Sequence, residues 1–135
     1  MKLAPTLYEK PWGRRELPSP FDGMAKDSGG PIGEIWFEPP DRSFLPVLVK
    51  HLFTGAKLSV QVHPDDDHAR VSGLRSGKNE CWYITAAEPG AKLGLGLTRN
   101  LGREELKAAA LDGSIEALLD WRPISAGQFY VVPAG

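Results

Sequence analysis

The sequence predicts an all-β fold, a barrel or sandwich of short strands with one small helical insertion, and three observations predict it. Twelve prolines and fifteen glycines in 135 residues divide the chain into pieces too short for long helices. Several of those pieces alternate apolar and polar side chains, the period-2 mark of a half-buried strand. One segment, residues 98–120, changes to a helical period.

Element by element, "KPWGRRELPSPFDGMAKDSGGPIG" is dense in breakers and predicts mostly loop, after which "EIWFE" predicts a short strand stopped by Pro39-Pro40. "FLPVLVKHLF" (44–53) is a largely apolar run with β-branched residues and predicts a buried strand, with Pro46 placing it at a sheet edge or bulge. "KLSVQVH" (57–63) alternates cleanly and predicts a further strand. "PDDDHARVSGLRSGKN" is polar, with Asp65 and Asp66 suited to capping a helical turn and His68 expected to be exposed. "ECWYITA" and "AKLGLGL" return to strand character on either side of the turn signal Glu88-Pro89-Gly90. In 98–120, Leu101, Leu106 and Ala109-Ala110, then Ile115, Leu118 and Leu119, suit two short amphipathic helices divided by Gly113, with Asp112 or Ser114 capping the second. "ISAGQFYVVPAG" closes with a turn at Gly127 and a strand. The whole is read as one domain, 1–135, with 98–120 inserted in it.

Sixteen Lys+Arg balance seventeen Asp+Glu, and no basic run provides the footprint that binding to a phosphate backbone needs, so nucleic acid is excluded as a partner. No window approaches the roughly eighteen apolar residues of a membrane span, and the first residues lack the apolar core of a secretory signal. A single cysteine, Cys81, rules out an internal disulfide and suits a reducing compartment. The expectation is a soluble cytoplasmic protein.

Chemistry enters at "LSVQVHPDD". On a strand, Lys57, Ser59, Gln61 and His63 share one face, and Leu58, Val60 and Val62 the other. Side chains at i and i+2 project in parallel roughly 6.5–7 Å apart, so Gln61 and His63 can reach one cation. An imidazole nitrogen and an amide oxygen are both metal ligands, and Glu80, at the start of the next strand, is the natural carboxylate to complete the set. Gly55, five residues, then Gln61-Val62-His63 matches the first cupin motif, G-x5-H-x-H, with glutamine for the first histidine. Gly127, five residues, then Pro133 matches the front of the second, G-x5-P-x4-H.

"PIGEIWFEPP", "LPVLVKHLFTGAKLSVQVHP", "GKNECWY", "AEPGAKLGLGL", "DGSIEALLD" and "GQFYVVPAG", in this order, resemble type I mannose-6-phosphate isomerases from about Pro31 to Gly135. Trp12-Gly13 is similar to an amino-terminal Trp-Gly of the same family. The resemblance implies a cupin, or jelly-roll, barrel and a metal-dependent aldose-ketose isomerase that interconverts mannose 6-phosphate and fructose 6-phosphate. It implies one divalent metal, usually zinc, held by Gln61, His63 and Glu80, with Lys78, Lys50 and Glu34 as catalytic side chains lining the pocket. The family's fourth ligand, a histidine, would lie five residues after Pro133, and its catalytic arginine later still. The expectation is therefore the amino-terminal part of a longer enzyme, incomplete at the C-terminus, that binds metal weakly in isolation and self-associates through an exposed sheet edge. A non-catalytic cupin-like sugar-binding module is the competing reading. An iron-dependent oxygenase would want two histidines and a carboxylate, and Gln61 counts against it. Cys81 is expected to be a small apolar packer, and Gln128 to act in turn chemistry.

Overall fold

The computed structural model describes residues 2–135, and the chain divides into two units, Met1–Ser59 and Val60–Gly135. In the first unit, β1 (Ala4–Arg14), β2 (Ile32–Glu38) and β3 (Val49–Leu52) form an antiparallel sheet in the order β1-β2-β3. Ile32, Ile35, Phe53 and Leu17 are buried together, with Leu7, Phe21, Met24, Ala25 and Phe37 packed against them. The rings of Phe21, Phe37 and Phe53 surround His51, at centroid distances of 4.8, 5.9 and 6.1 Å.

Two predictions for this unit are corrected. The segment expected to be mostly loop, residues 10–33, is loop over 15–31, but its first residues complete a strand, Ala4–Arg14, that forms despite Pro5 and Pro11. Both prolines sit in an edge strand, where a missing N–H is tolerated, and Pro11 falls in the irregularity between Glu9 and Arg14, which both pair with Ile32. Gly13 lies against Ile32 so closely that a Cβ on it would come within 2.5 Å of the Ile32 carbonyl carbon, so the fold needs a glycine there. The strand expected over 44–53 is only Val49–Leu52. Pro46 cannot donate to a ladder, pairing begins beyond it at Phe37↔Val49, and Phe44 and Val47 are exposed. The predicted "EIWFE" strand lies within β2.

The second unit contains α1 (Asp66–Val71), β4 (Glu80–Tyr83), β5 (Lys92–Leu97), α2 (Arg103–Asp112), α3 (Ile115–Leu118), β6 (Leu119–Pro123) and β7 (Phe129–Val132). β4 pairs antiparallel with β7, and β5 with β6. Asp65 caps α1, its carboxylate accepting from the His68 N–H at 2.8 Å. His68 is exposed. α2 ends at Gly113 in the left-handed region, φ 83°, and Asp112 accepts from the Ser114 N–H at 2.8 Å. Both helices fall where the period changed, whereas β6 was not anticipated. Gln128 acts in the turn as expected, accepting from the Ser125 N–H at 2.8 Å.

The predicted strand over 57–63 is corrected: those residues carry no ladder. Alternation dictates which way side chains face, but a strand also needs a neighbouring backbone, and the His63 carbonyl accepts instead from the Gly135 N–H at 2.9 Å. Val60 and Val62 are correspondingly exposed rather than packed. Cys81 is also exposed, not a core packer. It shares the outer face of the β4–β7 sheet with Tyr83, Phe129 and Val131, while Trp82, Tyr130 and Val132 face the other way and are half-buried.

Candidate functional site

Within the second unit, one device brings the segment carrying His63 to the segment carrying Glu80. Gly77 packs on the Pro64-Asp65 peptide, where a Cβ would lie 2.8 Å from the Pro64 carbonyl oxygen and the Asp65 carbonyl carbon. Its N–H donates to Asp66 Oδ1 at 2.7 Å, and the next N–H, that of Lys78, donates to the Pro64 carbonyl at 2.9 Å. Only a residue without a side chain permits this approach, which explains the glycine between "HPDD" and "KNE". Asn79 extends the docking on the other side, its Oδ1 accepting from the Ala134 N–H at 3.0 Å.

Four predicted site residues converge here. His63 Nε2 lies 3.4 Å from Glu80 Oε2, with both side chains largely buried. Lys78 Nζ lies 3.4 Å from Glu80 Oε1 and 3.4 Å from Gln61 Oε1, so one ammonium touches both the amide oxygen and the carboxylate. Trp82, two residues beyond Glu80 on the same strand face, donates its indole N–H to Glu80 Oε2 at 3.2 Å. Lys78 precedes β4 rather than lying in it, yet its long side chain still reaches the carboxylate.

The remaining two, Glu34 and Lys50, meet in the first unit. Glu34 is buried in β2, its Oε1 3.7 Å from Lys50 Nζ. Its Oε2 accepts the Trp36 indole N–H at 2.6 Å. Lys50 is paired opposite Trp36, so the sheet register alone delivers its ammonium to the carboxylate. Glu-x-Trp occurs in both units with the same bond, because residues two apart on a strand share a face.

Among the described residues no three His, Cys, Asp or Glu side chains are grouped so as to hold a metal ion, so any cation site here depends on the Gln61 amide oxygen. The chemistry of Gln61, His63 and Glu80 fits a mixed nitrogen and oxygen set. Imidazole and carboxylate atoms bound to one zinc at roughly 2.0–2.2 Å stand about 3–3.5 Å apart, which is the separation of His63 and Glu80. The other ring nitrogen, His63 Nδ1, is buried without a hydrogen-bond partner among the described residues, so Glu80 is the polar anchor of the imidazole. A groove of about 300 Å³ lined by Val60, Gln61, Val62, Leu106, Ala110 and Ile115 adjoins the amide. The sequence pattern did not disclose Trp82 and Trp36 as partners of these carboxylates, although the Glu-x-Trp spacing was the available signal.

No protein-family model matches the sequence. Among curated proteins, "Probable mannose-6-phosphate isomerase GmuF" of Bacillus subtilis is 32% identical over 98% of this chain and 52% of its own length. The mannose-6-phosphate isomerase of Streptococcus mutans is 36% identical over 79% of this chain and 35% of its own length. The crystal structure of the mannose 6-phosphate isomerase from Bacillus subtilis superposes with a TM-score of 0.80 at 27% identity, covering 99% of this chain and 52% of that one. The chain thus spans about a third to a half of the length of these relatives. No helix among the described residues is long and apolar enough to cross a membrane. In sequence and in its mostly β-strand architecture, the chain is a relative of the mannose-6-phosphate isomerases, matched over part of their length.

Proposed function

We propose that this chain carries the metal-binding part of a mannose-6-phosphate isomerase of cupin type, acting on sugar phosphates in the cytoplasm. The observation that carries the proposal is the chain of contacts through Glu80, whose one oxygen lies 3.4 Å from His63 Nε2 and whose other lies 3.4 Å from the Lys78 ammonium, itself 3.4 Å from the Gln61 amide oxygen. Gln61, His63 and Glu80 would hold one zinc ion. A zinc ion bound by neutral imidazole and amide donors and a single carboxylate keeps positive charge available to polarise a carbonyl oxygen.

Interconversion of mannose 6-phosphate and fructose 6-phosphate moves a proton between the first two sugar carbons, and negative charge develops on the oxygens. Lys78 is suited to that charge: its side chain is about two-fifths exposed, and its ammonium is already held beside two oxygen partners, so stabilising a substrate oxygen there needs little reorganisation. Glu80 and Gln61 hold Lys78 in place, and His63 is held by Glu80. Glu34 and Lys50, an ion pair mostly withdrawn from solvent in the first unit, are proposed as further catalytic side chains. Their charges are less screened than those of exposed pairs.

The test is zinc titration of the chain by calorimetry, followed by a coupled assay for fructose 6-phosphate formation. One equivalent of zinc, bound measurably more weakly in His63→Ala and in Glu80→Ala, supports the proposal. Wild-type protein that takes up no zinc, or His63→Ala that binds as tightly as wild type, overturns it.

A further inference from the structure

The geometry points to Trp82 as a positioning residue for the Glu80 carboxylate, a role that rests on the proposed metal centre but goes beyond its ligands. Glu80 Oε2 faces two groups at once: the Trp82 indole N–H at 3.2 Å and His63 Nε2 at 3.4 Å. A carboxylate oxygen offers two lone-pair sites, so the indole occupies one and leaves the other directed toward the imidazole. The opposite oxygen, Oε1, is held by Lys78. Without the indole, the carboxylate can rotate about its last torsion, which is broad and roughly two-fold. It could then turn both oxygens toward the ammonium and away from His63.

The first unit repeats the device independently. Trp36 donates to Glu34 Oε2 at 2.6 Å while Lys50 lies by Oε1 at 3.7 Å, so carboxylate, indole and ammonium stand in the same arrangement at the same Glu-x-Trp spacing. Two occurrences on two sheets mark this as a way of fixing a carboxylate's orientation rather than an accident of one turn. Trp82 also lies directly opposite Tyr130 in the β4–β7 ladder, so the ring is seated by its own strand and needs no help from Glu80 to stay there. The indole therefore acts on the carboxylate, and through it on any ion that Glu80 holds. Outer partners of this kind typically set metal affinity by 10- to 100-fold.

Zinc titrations of the wild-type chain, Trp82→Phe, Glu80→Ala and the double variant form a cycle that separates positioning from packing. Trp82→Phe should weaken zinc binding about tenfold, and should cause no further loss in the Glu80→Ala background, because there is then no carboxylate to orient. Replacing Trp82 by β-(3-benzothienyl)alanine, which keeps the shape and lacks only the N–H, should reproduce the loss if the phenylalanine variant folds poorly. Zinc binding within twofold of wild type in both variants, or an equal loss with and without Glu80, overturns the inference. Wild-type protein that takes up no zinc overturns the metal centre itself. The clamp is then decided by the Trp82 indole proton resonance, which moves upfield in Glu80→Ala if the bond exists and stays in place if it does not.

Discussion

Replacing Gly77 by alanine should damage both the stability of the second unit and its zinc affinity, and the structure supplies the magnitude. The new Cβ would sit 2.8 Å from the Pro64 carbonyl oxygen, about 0.6 Å inside the ordinary contact limit of 3.4 Å. The neighbouring atoms are backbone, so the two segments must separate by a comparable amount. That displacement stretches the Gly77-to-Asp66 bond from 2.7 Å and the Lys78-to-Pro64 bond from 2.9 Å toward the limit of hydrogen bonding. A bond to a carboxylate contributes about 1.5–3 kcal/mol and a neutral one about 0.5–1.5 kcal/mol, so losing most of both costs about 2–4 kcal/mol. Alanine returns about 0.4–1 kcal/mol by restricting the unfolded chain, which leaves a net loss. Because Lys78 and Glu80 follow directly, the 3.4 Å gap between His63 and Glu80 should widen and zinc affinity should fall at least tenfold. Urea unfolding and zinc titration measure the two effects, with Gly102→Ala as control, since a Cβ there meets nothing within 4 Å. Gly77→Ala protein as stable as wild type with unchanged zinc affinity would refute the role assigned to this close approach.

Other perturbations have expected outcomes of known sign. Lys78→Met removes a positive charge that competes for Gln61 and Glu80. It should tighten zinc binding by about 1 kcal/mol, roughly fivefold, as suits a partly exposed charge, while lowering isomerase turnover in the coupled assay. Trp36→Phe strips the indole from a carboxylate whose side chain is 11% exposed. The cost should be about 1.5–3 kcal/mol, a fall in Tm of about 5–10 °C, and part of it should return in Glu34→Met/Trp36→Phe, where no carboxylate is stranded. Hydrogen bonding by Ser114, first through its side chain and then its backbone, holds the Asp112 carboxyl below its ordinary value of 3.8. A carboxyl depressed on folding stabilises above its unfolded pKa and loses that contribution as pH falls through the folded one. Asp112→Ala should therefore be less stable than wild type near neutrality, with the difference vanishing as the pH drops below about 3.8, as followed by circular dichroism melts.

Local signals in the sequence were reliable where local physics decides. The change of period at 98–120 located α2 and α3, and Asp65 caps α1 through its own carboxylate. Gln61, His63, Lys78 and Glu80 were legible from residue type, spacing and family resemblance, but the shared strand face expected for Gln61 and His63 is not what brings them together. The docking of Gly77 and Lys78 on the Pro64-Asp65 backbone does that. What depends on a distant neighbour was not legible. Residues 57–63 have the alternation of a strand but no ladder, while β1 pairs despite its prolines because it lies at an edge. Trp82 and Trp36 went unrecognised for a related reason: an aromatic residue in a strand satisfies the core pattern, and its N–H is invisible to periodicity.

The most direct test of the central claim is X-ray absorption at the zinc edge of the loaded chain. The account predicts one imidazole nitrogen at roughly 2.0–2.1 Å with oxygen donors completing the shell, and loss of the imidazole signature in His63→Ala. A shell without imidazole in the wild-type protein, or an unchanged spectrum in His63→Ala, would contradict it.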